Sequence, residues 1–235
     1  MKRKPATFPT GARTLAALLL VVATVLGMSC ISSDPASSEL GPITKTVWVR
    51  WLVGVRVHFV AIVTNTGLDP IELHDINYEM RTPSGALVES GGVPQSYPKR
   101  IGPGQSAVIG RTVTADTAEK TEDVASVDID FEARKVASAD NLLTVVTSEY
   151  RGADDILQAQ VVGEVRNDGS KLYDNIKVAV VMLDVDGRAI GFATAKLPVG
   201  ALAPGESAQF ATNADLPADQ VDGRVHALLV FASDQ

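Results

Sequence analysis

Few residues of this 235-residue chain have the types and spacing that chemistry needs. Cys30, the only cysteine, is the clearest. It stands just past an apolar run from Leu15 to Met28, where acyl chains can be attached to its thiol. Being alone, it allows no intrachain disulfide. Asp184-Val185-Asp186-Gly187 has some of the oxygen ligands of a calcium loop but lacks the distal Glu. After an alternating strand, Asp-Gly reads instead as a hairpin turn. Asp128, Asp130 and Glu132 alternate with Val127, Ile129 and Phe131. That spacing puts three carboxylates on one strand face, a possible cation site, but a solvated sheet face has the same pattern. His58, His74 and His226 fall in separate segments, with no H-E-x-x-H, no G-x-S-x-G elbow and no P-loop. Nothing nominates an acid, a base or a nucleophile. The expectation is a non-enzyme with no cofactor and no metal site.

The segment around Cys30 explains its position. Lys2, Arg3, Lys4 and Arg13 precede the apolar run, and no acid does. The run spans about 14 residues, short of the roughly 20 that cross a bilayer, and suits a signal-peptide core. Leu26-Gly27-Met28-Ser29-Cys30 resembles the bacterial lipobox, with Gly27 where leucine is commoner. Residues 1–29 are therefore expected to be a lipoprotein signal peptide, with Cys30 the lipidated residue. Residues 30–42, rich in Ser and Pro, read as a flexible tether. Losing the four leader cations moves the formal charge from -7 to -11. An acidic mature chain argues against binding nucleic acid.

The rest of the chain is a repeat. Asn65-Thr66-Gly67 and Asn167-Asp168-Gly169 lie 102 residues apart, each after an alternating strand. Turn glycines Gly85 and Gly187 keep that offset, and Ile101-Gly102-Pro103-Gly104-Gln105 answers Leu202-Ala203-Pro204-Gly205-Glu206. Strand periodicity recurs throughout and helical periodicity is missing. Each copy holds six or seven short strands, with turn residues about every dozen positions. The expected fold is all-β: two tandem immunoglobulin- or fibronectin-III-like β-sandwiches, at 43–138 and 139–235.

Gly163-x-Val165-x-Asn167-x-Gly169, Leu172-Tyr173-Asp174-Asn175-Ile176, Asp186-Gly187 and Leu202-x-Pro204-Gly205-Glu206 mark the second copy. Together they resemble the FxLYD family, β-sandwich modules of bacterial and archaeal envelope proteins. Ser170 replaces the eponymous phenylalanine. The first copy is a diverged version that keeps Asn65, Gly67, Leu73 and Asp75, with His74 set against Tyr173. The resemblance implies a sandwich fold and an envelope location, and no reaction.

Candidate interaction residues are Trp48 and Trp51 in the first strand, and the Leu172-Tyr173-Asp174 corner. An odd spacing turns the two tryptophans to opposite faces of a regular strand, so one is expected in the core and the other free to anchor a partner. For the corner, packing of Tyr173 or Leu172 and loop capping by Asp174 is the favoured reading over a binding surface. The expected protein is a non-catalytic, lipid-anchored, extracytoplasmic binding or scaffold module of the bacterial cell envelope. It holds the membrane through Cys30 and contacts an envelope protein through sandwich edges or loops. A small-molecule or glycan receptor is the alternative, and few aromatics are present to line its groove.

Overall fold

The computed structural model describes residues 43–51, 56–114, 124–152, 159–212, 221 and 223–234, and for 44–51 the backbone alone. The leader, Cys30 and the tether lie outside the described residues. The described fold is almost entirely β, as the periodicity predicts.

The first half has seven strands: β1 (Ile43–Trp51), β2 (Arg56–Asn65), β3 (Ile71–Arg81), β4 (Leu87–Gly92), β5 (Arg100–Ile101), β6 (Ser106–Thr114) and β7 (Ser126–Lys135). One sheet has the order β1-β2-β6; the other has β4-β3-β5, with β7 also paired to β3. The second half has β8 (Leu143–Arg151), β9 (Gln160–Asn167), β10 (Tyr173–Asp174), β11 (Lys177–Leu183), β12 (Ala189–Lys196), β13 (Ala201–Leu202), β14 (Ser207–Ala211) and β15 (Ala227–Ser233). Its sheets repeat the scheme as β14-β9-β8 and β12-β11-β15, with a short β10-β13 pair. All pairings are antiparallel.

Each half encloses its own core between its two sheets. In the first, alternate residues of β2 (Val57, Phe59, Ala61, Val63) meet Tyr78, Met80, Ile109 and Ile129. In the second, Val161 and Val165 meet Val178, Val180, Met182 and Phe210. Burying one such side chain contributes roughly 1.5–3 kcal/mol, so alternation alone orients each strand strongly. Asp128 and Asp130 are exposed while Val127 and Ile129 are buried, so the carboxylates of β7 line a solvated face. Asp184 uses its side chain on the hairpin: Oδ1 accepts the N–H groups of Asp186 (3.0 Å) and Arg188 (2.9 Å). Gly187 supplies the positive φ of 75° that the turn needs.

The two copies share one polar construction. Asn65 and Asn167 are buried at the ends of β2 and β9. Asn65 Nδ2 donates to the carbonyls of Asp69 (2.8 Å) and Ile101 (3.0 Å), and Oδ1 accepts the Gly67 N–H (3.0 Å). Asn167 Nδ2 donates to Lys171 (2.8 Å) and Leu202 (2.9 Å), and Oδ1 accepts the Gly169 N–H (2.8 Å). The asparagine backbones bind Gln105 and Gly104 in one copy, Glu206 and Gly205 in the other. Each side chain thus ties the Asn-x-Gly loop to the Pro-Gly turn across the end of its sandwich.

These bonds also correct the alignment of the copies. Ile71 pairs with Ile101 and Tyr173 with Leu202, and both carbonyls at positions 101 and 202 take an asparagine bond. The counterpart of Tyr173 is therefore Ile71, not His74. The offset then changes, because the Val93 N–H binds the Ile76 carbonyl as the Leu197 N–H binds that of Ile176. The first copy carries the extra residues within β3, where the pairing with β7 slips between His74 and Asn77. Asp75 and Asn175 both turn to positive φ there, at 48° and 46°. Asn and Asp tolerate that conformation better than other residues with a Cβ.

Replacing Asn167 by Ala removes the partner of the buried Leu202 carbonyl and of the partly buried Lys171 carbonyl and Gly169 N–H. The expected loss is about 3 kcal/mol in urea unfolding. Asn167→Asp keeps the shape but loses both donors, and should be no more stable than the alanine variant.

A candidate site in the cleft between the halves

The halves pack face to face. Val60 and Val108, with Tyr97, come from the first half; Ala179, Val181 and Ala189, with Leu183, Phe192, Leu229 and Phe231, come from the second. Together they form a third apolar cluster, and Ala36–Gln235 is one compact unit. Small residues make the approach possible. A Cβ on Gly110 would lie 2.6 Å from the Phe192 ring, so only glycine leaves room for it. The same ring lies 6.2 Å from His58 and 6.5 Å from Tyr97, centroid to centroid. His58 is buried, with Nδ1 2.8 Å from Thr112 Oγ1.

Beside this seam a cleft of about 450 Å³ opens. Lys99 and Arg100 stand on one wall, Lys171 and Tyr173 on the other, with Asp140 and Leu142 of the connecting segment between them. The connecting segment is fastened at several points. The Val136 N–H donates to the Pro70 carbonyl (3.0 Å) and the Asp168 N–H to the Leu142 carbonyl (2.9 Å). Asn141 Nδ2 donates to the Ala232 carbonyl (2.5 Å).

Tyr173 belongs to this fastening. Its ring is buried, its hydroxyl donates to the Asp140 carbonyl (3.3 Å), and its oxygen accepts the Leu142 N–H (3.2 Å). The ring is therefore part of the core and not a free contact surface. Its neighbours Leu172 and Asp174 are exposed. Lys171 lies with Nζ 4.5 Å from the Tyr173 centroid and 3.6 Å from Asp234 Oδ2. Trp48 and Trp51 lie on β1, opposite Val60 and Val57, and their side chains are outside the described residues.

The polar centre on the other wall escaped sequence reasoning. Glu72 is buried, and its carboxylate meets Lys99 Nζ (2.7 Å), Arg100 Nε (2.8 Å) and His74 Nε2 (3.3 Å). Burial pushes the Glu72 carboxyl up, but hydrogen bonds and charge from Lys99 and Arg100 outweigh it and hold the group below its ordinary value. An acid between Ile71 and Leu73, on a strand otherwise apolar at that end, was the available signal. Its counterpart Asp174 is exposed, so the cluster belongs to the first copy alone.

The arrangement offers binding chemistry: ammonium, guanidinium, carboxylate and hydroxyl groups around one cleft. Among the described residues, no group of three or more His, Cys, Asp or Glu is placed to hold a metal ion. No family model matches the chain. No curated protein matches it either. Among solved structures, a β-glucuronidase of glycoside hydrolase family 2 aligns over 77% of this chain at 9% identity with a TM-score of 0.22. The chain spans 20% of that protein.

The Glu72 centre carries a pH dependence. A carboxyl held low in the folded state contributes stability above its unfolded value, near 4.5, and loses it as pH falls through the folded value. Glu72→Gln should therefore flatten the fall of urea midpoints below pH 4.5 relative to wild type. Parallel curves for the two proteins would show that the ion pairs contribute nothing.

Proposed function

We propose that this is a lipid-anchored, extracytoplasmic protein of the bacterial cell envelope that binds or scaffolds other envelope components without catalysis. The observation that carries the reading is the order of parts along the chain. A short apolar run ends at the only cysteine, a Ser- and Pro-rich tether follows, and then come two all-β halves packed on one another. Each methylene of an acyl chain on Cys30 would contribute roughly 0.8 kcal/mol to membrane binding, and two or more chains hold a protein stably. The likeness of the second copy to FxLYD modules supports the same compartment. The packed halves support a scaffold, because a partner meets a preformed surface and little order is lost on binding.

The cleft favours a second reading, a receptor for a small polar molecule. Its volume of about 450 Å³ falls within the range of ligand sites, roughly 300–1,000 Å³. Its walls carry Lys99, Arg100, Asp140, Lys171 and Asp234, with Tyr173 the aromatic among them, which suits a charged ligand better than a stacked sugar ring.

Two measurements test the anchored-scaffold reading. Cells fed a labelled fatty acid should incorporate it into the wild-type protein and not into Cys30→Ser. Crosslinking in intact cells should recover one envelope protein, lost when Trp48 or Trp51 is replaced by Ala. Recovery of the acylated protein alone would turn the case toward the receptor.

A further inference from the structure

We propose that the end of the molecule built from the two asparagine corners is a membrane-docking surface, with Leu68, Leu142 and Leu172 entering the interfacial zone of a lipid bilayer. The proposal rests on the lipid anchor at Cys30.

Topology brings these residues to one end. Ile43, which opens β1, stands opposite Asn65, so the tether joins the fold beside the first corner. The connecting segment binds Pro70 at one end and Asp168 at the other, which links the corners directly. Lys99 and Arg100, beside the first corner, share a cleft with Ser170 and Lys171 of the second.

Large exposed apolar side chains collect at that end. Seven are exposed among the described residues, and four are here: Leu68 (91%), Leu172 (62%), Leu142 (49%) and Val199 (39%). Val199 follows β12, whose last residue Lys196 stands opposite the first residue of β11. By contrast, Leu87 and Val185 sit at the opposite end, near the β3–β4 and β11–β12 turns. Single exposed apolar side chains are ordinary, but three leucines and a valine gathered where the tether joins call for a common partner. Leu68 stands on a loop that Asn65 closes from both sides, so it is held outward at no further cost in order.

Charge and reach define the contact. Four cations of this end face acids of the same chain: Lys99 and Arg100 meet Glu72, Lys135 meets Asp69, and Lys171 meets Asp234. The protein is acidic overall. Docking is therefore apolar, needs no anionic lipid and resists salt. Cys30 and Ile43 are thirteen positions apart. Fully extended, that length reaches about 45 Å. As a flexible coil it averages roughly 20 Å. Tethering keeps the leucines at high effective concentration near the bilayer, so weak contacts suffice.

The test uses the full-length protein, acylated in cells, purified and reconstituted in phosphatidylcholine vesicles. Acylated Cys30 has no free thiol, so Leu68→Cys, Leu172→Cys and Val185→Cys each accept one polarity-sensitive fluorophore. Labels at 68 and 172 should shift to the blue and lose emission to nitroxide-bearing lipids, in low and high salt alike. The label at 185 should do neither. Protein that floats with the vesicles while all three labels stay unquenched refutes docking and leaves the anchor standing. Shielding of 68 and 172 that disappears on diluting the protein, with no nitroxide quenching, would mean a second copy covers this end and refutes docking too. Protein that fails to float and takes a second label at Cys30 refutes the anchor itself, and the proposal with it.

Discussion

One buried side-chain amide organises each half of this protein. An asparagine at the end of a central strand has four hydrogen-bonding capacities, and each one here satisfies three of them with backbone. Asn65 and Asn167 hold a loop, a Pro-Gly turn and the strand residue just before that turn in one arrangement. A buried unpaired amide costs more than a bond gains, so the loops have little freedom to rearrange around it. The geometry then propagates. Ile71 and Tyr173, six residues beyond each asparagine, drop into their cores, and the second uses its hydroxyl to hold the connecting segment.

Fixing that segment has effects beyond the corner. With both ends of the connection tied, the sheets β1-β2-β6 and β12-β11-β15 are held near each other, and shape decides the rest. Phe192 lies against Gly110, with Val60, Val108, Ala179 and Val181 around it. The cleft is the space left over where the strands end. Its charged groups sit on loops and strand ends.

Much of this was legible in the sequence, and what was missed has physical reasons. Alternation showed which of Val57, Phe59, Ala61 and Val63, or Val178, Val180 and Met182, face a core, because period two maps directly onto burial. The asparagines read as turn formers. That they are buried did not, because an Asn in a solvated turn has the same neighbours. The alignment of Tyr173 with His74 failed because the extra residues sit inside a bulged strand and not in a loop, where insertions are usually sought. The seam left a trace that alternation hid. Val178 to Met182 is apolar at every position, and a strand apolar on both faces is buried on both. Glu72 showed only as an acid between two apolar residues, and its three partners come from β3, β5 and the residue just before β5.

The seam joins unlike faces. The sheet that the first copy presents, β1-β2-β6, corresponds by order to β8-β9-β14 of the second, yet it meets β12-β11-β15. Such a head-to-tail contact does not close on itself, and a third copy could stack by the same rule. The outer faces differ from the seam in carrying exposed polar residues. On one side Asp128 and Asp130 cover β7, and on the other Arg166, Ser207 and Gln209 are exposed on β9 and β14. Each copy thus turns an apolar face to the other and a solvated face outward.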